Sequence, residues 1–268
     1  MRLVRAGILG LFAALSIAQT EQLPQQPQRS ELPPALERHQ PARDGGVREV
    51  LEGIVIPPIP NAPFHATLAT EAVKYSFDGA AMTFVNQRHI ARDGRGRIYE
   101  ERWLLVPKNS KVKSYMNWIQ VADPRQRMLY NCSPQKKICD LLVYDPAEDL
   151  AAARPRTIPA RIVQSEKGSQ SWEDLGPRNI LGVDTVGFRE TTITNVGVLG
   201  NDQPLVSTSE YWHSERLGIN LLSIRSSPFF GKQTFTITEL TVGEPDQQLF
   251  ELPDYPVHDQ RKPPPISQ

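Results

Sequence analysis

Acid–base, nucleophilic or metal chemistry needs side chains that converge, and this chain offers few candidates. Its five histidines, His39, His65, His89, His213 and His258, are scattered. His39 and His258 fall in predicted tails. His65, His89 and His213 fall on predicted strands without a histidine neighbour, and Glu210 with His213 would point from opposite faces of one strand. No Gly-x-Ser-x-Gly segment is present to raise a serine nucleophile. The paired acids Glu148-Asp149 and Glu173-Asp174 lie at a helix start and in a loop, where capping accounts for them. Arg88, Arg92, Arg95 and Arg97 crowd one turn and could hold a phosphate, yet Glu100 and Glu101 follow at once and can compensate them across the hairpin. The expectation is no enzyme, no cofactor and no metal site.

Cys132 and Cys139 bracket Ser133-Pro134-Gln135-Lys136, a turn sequence between two short apolar runs. Their spacing matches neither a redox nor a zinc pattern, so the expected bond is a disulfide closing a hairpin, in an oxidising compartment. The first residues agree. Arg2 and Arg5 precede an apolar stretch from Ala6 to Leu15, too short to span a bilayer comfortably, and Ser16-Ile17-Ala18 forms a small-x-small cleavage site. Residues 1–18 thus read as a secretory signal peptide cleaved after Ala18, and the expected location is periplasmic or secreted.

Lysine plus arginine balance aspartate plus glutamate at 30 each, which gives nucleic acid no global field to recognise. Residues 19–62 are rich in Pro, Gln and charge and poor in aromatics, so they are expected to stay disordered. Two islands interrupt them. Pro34 to Gln40 and Val47 to Ile56 could form a helical turn or an added edge strand, and Ile54-Val55-Ile56 could dock on a core. The tail 257–268 is expected to be disordered too.

Between 63 and 256 the texture is short β-forming runs separated by turns. Phe64 to Tyr75, then Asp78-Gly79, then Ala80 to Arg92 lead into a hairpin turned by Asp93-Gly94 and Gly96, and Ile98 to Val106 returns from it. Tyr115 to Ala122, Arg127 to Cys132 and Lys137 to Tyr144 form a second meander. Asp145-Pro146 caps a helix of about two turns ending in alanines. Arg154 to Ser171 reads as a polar connection. Ile180 to Ile193, Leu205 to Ser214, Ile219 to Arg225 and Gln233 to Val242 are further strands, the last alternating Phe235 and Ile237 with threonines. Leu249, Phe250, Leu252 and Tyr255 are placed to pin the chain end onto the core.

The segments ARDGRGRIYEE (91–101), IQVADP (119–124), WEDLG (172–176), EYWHS (210–214) and EPDQQLFELPDY (244–255) together resemble a group of uncharacterised bacterial exported proteins. More remotely, the strand pattern resembles the LolA-like half-barrel class, which includes lipoprotein carriers and the sensor RseB. The resemblance implies a mainly β fold, a strongly curved antiparallel sheet with one or two short helices. A curved sheet with little helix has difficulty covering its inner face, so Met82, Phe84, Trp103, Ile119, Trp212, Phe235 and Ile237 are expected to line an apolar ligand groove. The expected function is a non-enzymatic exported binding protein for a lipid, a lipoprotein or a segment of an envelope protein. The competing expectation is a structural or protein-interaction domain with a filled core.

Overall fold

A computed structural model describes residues 43–45, 50–52, 54–76, 78–153 and 162–261. The signal segment, most of the Pro/Gln-rich stretch with its Pro34–Gln40 island, residues 154–161 and the tail beyond Arg261 lie outside the described residues. In chain order the strands are β1 (Arg43–Gly45), β2 (Val50–Glu52), β3 (Phe64–Tyr75), β4 (Ala81–Arg92), β5 (Ile98–Trp103), β6 (Val106–Pro107), β7 (Met116–Asp123), β8 (Met128–Ser133) and β9 (Ile138–Val143). Helix α1 (Pro146–Ala152) follows. Then come β10 (Val163–Ser165), β11 (Gly168–Ile180), β12 (Val183–Thr194), β13 (Leu205–Ser214), β14 (Ile219–Ser227), β15 (Gly231–Val242), a 3-10 turn (Gln247–Phe250) and β16 (Val257–Asp259).

The expected mainly β architecture is what forms: a large, open, curved sheet of 14 strands, not closed into a barrel. Its order is β10-β11-β12-β13-β14-β15-β3-β4-β5-β7-β8-β9-β16, with β6 added beside β4 and a separate β1–β2 pair. All pairings are antiparallel except β16 on β9. The opening hairpin forms as read, with Asp93 accepting from the Arg95 and Arg97 amides and Gly96 at φ 87°. Asp145 caps α1 by accepting from the Ala147 amide, with Pro146 in the first turn.

Register decides which side chains share a face. On β3, Phe64, Ala66, Leu68, Thr70 and Ala72 point one way. Pairing carries that face to Met82, Phe84 and Ile90 on β4 and to Phe235 and Ile237 on β15. Most of these belong to one buried cluster with Ile98, Ala122 and Leu129, and it takes in residues from outside the sheet: Ile54, Ile56, Leu217 and Tyr144. This is the core face. A second, smaller cluster on the opposite face joins Ala91, Tyr99 and Val121 to Phe250, with Leu249 and Leu252 packed against it, so the chain end is pinned as expected.

Three assignments change. The packed chain begins before residue 63, since Ile54 and Ile56 are buried in the core as their island suggested. At the far end, Val257–Asp259 forms β16 instead of trailing away. Residues 168–180, read partly as connection, form the long strand β11, which folds back on β12 through Leu181-Gly182.

Cys132 and Cys139 face each other across β8 and β9 and form the disulfide, with no free cysteine among the described residues. Closing so short a loop stabilises the fold by about 2 to 3 kcal/mol in the chain-entropy account.

Candidate functional site: a groove where two strands part

β4 and β5 pair only at their hairpin end, through Ile90↔Glu100, Ala91↔Tyr99 and Arg92↔Ile98. Beyond that point β5 turns to follow β7, while the upper half of β4 takes β6 as partner through Phe84↔Pro107 and Val85↔Val106. Side chains bridge the split. Asn86 Nδ2 donates to the Trp103 carbonyl at 2.7 Å, and the His89 amide donates to Glu101 Oε2 at 3.1 Å. A bulge between Arg102 and Trp103 turns the end of β5 outward.

Over this split, on the face opposite the core, lies a groove of about 730 Å³. Ala69, Val85, Thr234 and Thr236 lie on its floor, Trp103 and Val106 form a wall, and Lys108 and Glu71 form an ion pair of 2.8 Å at its edge. Its volume is in the range of small-molecule sites. Asn86 borders it from the core face, where register sets it opposite Thr70, and its Oδ1 is buried without a hydrogen-bond partner among the described residues. A buried acceptor in that condition is costly to the fold.

A second groove of about 570 Å³ lies on the same face, bordered by His65, Thr67, His89, Glu101 and Glu239. Thr67 Oγ1 donates to Glu239 Oε2 at 2.7 Å and lies 3.4 Å from His89 Nδ1. A hydrolytic relay needs the imidazole between hydroxyl and carboxylate; here the hydroxyl sits between the other two and its proton is committed to the carboxylate. Glu101 takes three donors: Tyr99 O–H at 2.9 Å, Trp103 Nε1–H at 2.7 Å and the His89 amide. Burial, then the Glu101 charge, pushes the Tyr99 phenol well above its ordinary pKa. These bonds hold the groove wall in place and leave no activated nucleophile. Among the described residues no three His, Cys, Asp or Glu side chains converge in a metal-binding arrangement.

The seven residues expected to line one apolar face divide between two. Met82, Phe84, Phe235 and Ile237 share the core face. Trp103 and Ile119 lie with Glu101 on the opposite face, and Trp212 lies there too, opposite Leu222 and with its ring over Gly187. The expectation that the apolar face stays partly uncovered is also corrected at its centre, because Phe235 and Ile237 are each only 2% exposed. The residues around the split, Ala69, Val85, Asn86 and the threonines, were not identified from sequence. Nothing local marks them, because the groove exists only where β5 leaves β4.

The arginine cluster does not converge either. Arg92 is spent on backbone carbonyls, Arg97 bonds Asp93 at 2.7 Å and stacks on Phe250, and Arg88 is buried on the core face. The compensating acid is Asp93, held below its usual carboxylate range by Arg97 and backbone amides that outweigh its burial. Glu100 pairs with Arg102 instead.

No family model matches the chain, and no curated protein matches it. Solved structures that resemble it include an uncharacterised conserved protein from Thermus thermophilus, 8% identical, with a TM-score of 0.37 over 75% of this chain and 91% of that one. Another is MucB of Pseudomonas aeruginosa in its complex with MucA, 13% identical with a TM-score of 0.34, covering 74% of this chain and 58% of that one. A third is the lipoprotein LppX of Mycobacterium tuberculosis, 10% identical with a TM-score of 0.29, over 69% and 88%. This chain therefore spans less than two thirds of the MucB chain. At these TM-scores the likenesses transfer neither a fold assignment nor any residue's role.

Proposed function

We propose that this is a binding protein that holds an elongated, largely apolar ligand of the lipid class in the groove over the β4–β5 split. The observation that carries the reading is the groove itself: a Trp103 wall and an Ala, Val and Thr-methyl floor, with no activated catalytic group beside them. Each buried methylene of a ligand contributes about 0.8 kcal/mol, so an acyl chain needs no further chemistry for reversible binding.

Titrating a fluorescent acyl probe tests this. Wild type should saturate, and Thr236→Leu and Ala69→Leu, which fill the floor, should each weaken binding by about tenfold, the equivalent of less than two buried methylenes. Met82→Ser on the core face should bind as wild type. No saturable binding, or equal losses on both faces, would leave the interaction-domain reading, which the filled core around Phe235 and Ile237 favours.

The protein is further proposed to act outside the cytoplasm. The order of charged, apolar and cleavage regions over residues 1–18 supports this, as does a disulfide of the kind oxidising compartments maintain. Protein recovered from the envelope fraction should begin at Gln19 and show no alkylatable thiol in its unreduced mass; material starting at Met1 would remove the claim.

A further inference from the structure

The alternation of the antiparallel strands sends the turns after β3, β8, β10, β12 and β14, and the loop after β5, to one rim of the sheet. Every lysine among the described residues lies there. Lys74 ends β3; Lys108, Lys111 and Lys113 occupy the loop between β5 and β7; Lys136 and Lys137 turn β8 into β9; Lys167 turns β10 into β11; Lys232 opens β15. All but half-buried Lys74 are exposed. The opposite rim, with the turns at 93–97, 123–127 and 215–218, carries arginines instead, Arg95, Arg97, Arg125, Arg127 and Arg216, and each of those turns has its own carboxylate, Asp93, Asp123 or Glu215, with Arg95 and Arg97 paired to Asp93.

The same rim presents apolar side chains that a soluble turn has no reason to display. Phe229 is 70% exposed, Leu199 and Tyr75 are each 62% exposed, and Val112, Val196 and Met82 are also exposed. They sit at the tips of the β14–β15, β12–β13 and β3–β4 hairpins and in the loop before β7, interleaved with the lysines. The carboxylates at this end are fewer: Asp78, Glu166 and Asp202 on the same turns and Asp254 on the strap into β16. Glu71, further down β3, is held by Lys108.

We propose that this rim docks on the surface of an anionic lipid bilayer, the lysines meeting phosphate head groups while Phe229, Leu199 and their neighbours enter the interface. Exposed cations drawn to an anionic surface, with apolar tips to follow, is the pairing that gives peripheral binding its two components. Charge complementarity selects the bilayer's sign, and the apolar tips select a bilayer over a soluble polyanion. The groove over the β4–β5 split reaches this rim at Lys108.

Co-sedimentation of the full mature chain with phosphatidylcholine vesicles, with and without 30 mol% phosphatidylglycerol, tests the proposal. Wild type should partition onto the anionic vesicles, at least tenfold less onto the neutral ones, and should be released by 0.5 M NaCl. Replacing Lys111, Lys113, Lys136 and Lys137 together by Gln should reduce anionic partitioning about a hundredfold or more. Phe229→Ser with Leu199→Ser should reduce it about tenfold. Equal partitioning onto both vesicles, no partitioning at all, or a quadruple variant that partitions like wild type would overturn the proposal. So would a Phe229/Leu199 variant that partitions unchanged, since the rim would then be an electrostatic surface for a soluble polyanion. Thr236→Leu fills the groove without touching the rim, so its vesicle binding should match wild type, and the fate of the groove leaves this test unaffected.

Discussion

Arg92→Met should lower the unfolding free energy by about 3 to 5 kcal/mol and free the segment around residues 54–63 for proteolysis, while Arg95→Met changes stability by no more than about 0.5 kcal/mol. The difference follows from what each guanidinium holds. Arg95 is exposed and meets Asp93 at 3.5 Å, the kind of surface pair that contributes little. Arg92 is fully buried at the end of β4, over the Phe64 ring. Its Nε and Nη2 donate to the Ala62 carbonyl at 3.0 and 2.7 Å, Nη1 donates to Pro57 at 2.7 Å, and Nη2 also reaches Leu217 at 2.7 Å. Burial lowers its pKa to about 10, so the group remains protonated at neutral pH. Those three carbonyls lie outside every strand, and methionine would take this donor from all of them, with Pro57 keeping the Ile59 amide at 2.8 Å. Arg92→Lys should recover only part of the loss, because one ammonium cannot reproduce the planar fork. Urea unfolding followed by circular dichroism measures all three; an Arg92→Met midpoint equal to wild type would show that the strap is held by its apolar contacts alone.

The same strap shows why composition misplaced the start of the domain. Residues 54–63, IVIPPIPNAP, have the proline content of a disordered linker. Yet its four prolines have no amide N–H to strand in the interior, and the Ile59 and Asn61 amides donate to the Pro57 and Gly94 carbonyls. Arg92 supplies donors to the Ala62 and Pro57 carbonyls from 30 and 35 residues away. That relation is non-local and cannot be read from either segment. Strands such as β3 and β15 were legible because they alternate apolar and polar residues between Gly-bearing turns. β11 was not, because GSQSWEDLGPRNI shows no such alternation; it is a strand only because β12 lies beside it, with a bulge at Asp174/Gly176.

The candidate site was less legible than the fold for a related reason. Sequence period sorts the side chains of one strand into two faces, but which faces coincide is fixed by pairing and by bulges between strands. Trp103 and Phe235 look alike as strand aromatics, and register puts them on opposite sides. The bulges at Arg102/Trp103 and Trp212/His213 are where simple alternation stops being a guide.

Burial gives Asp149 a part beyond helix capping, with a stability effect that depends on pH. It lies in the first turn of α1 and accepts from the Tyr144 phenol at 2.6 Å beside a small cavity that Glu100 and Gln120 also line. Burial raises its pKa from 3.8 to about 6; the Tyr144 bond opposes the rise, and the charges of Glu100, Glu148 and Asp145 add to it. The folded state therefore binds this proton more tightly than the unfolded chain. The stabilisation it brings is complete below about pH 4 and is lost as pH rises through about 6, where the fold must bury the charge. A shift of about two units corresponds to roughly 3 kcal/mol. Asp149→Asn keeps an acceptor for Tyr144 and cannot ionise. Its stability relative to wild type should improve by about that amount between pH 4 and pH 7.5, with most of the change between 4 and 6. Taking the difference between the two proteins removes the titration of every other group they share. Urea midpoints at four pH values across that range give the curve, and a flat difference would mean that Asp149 ionises in the fold as readily as in the unfolded chain.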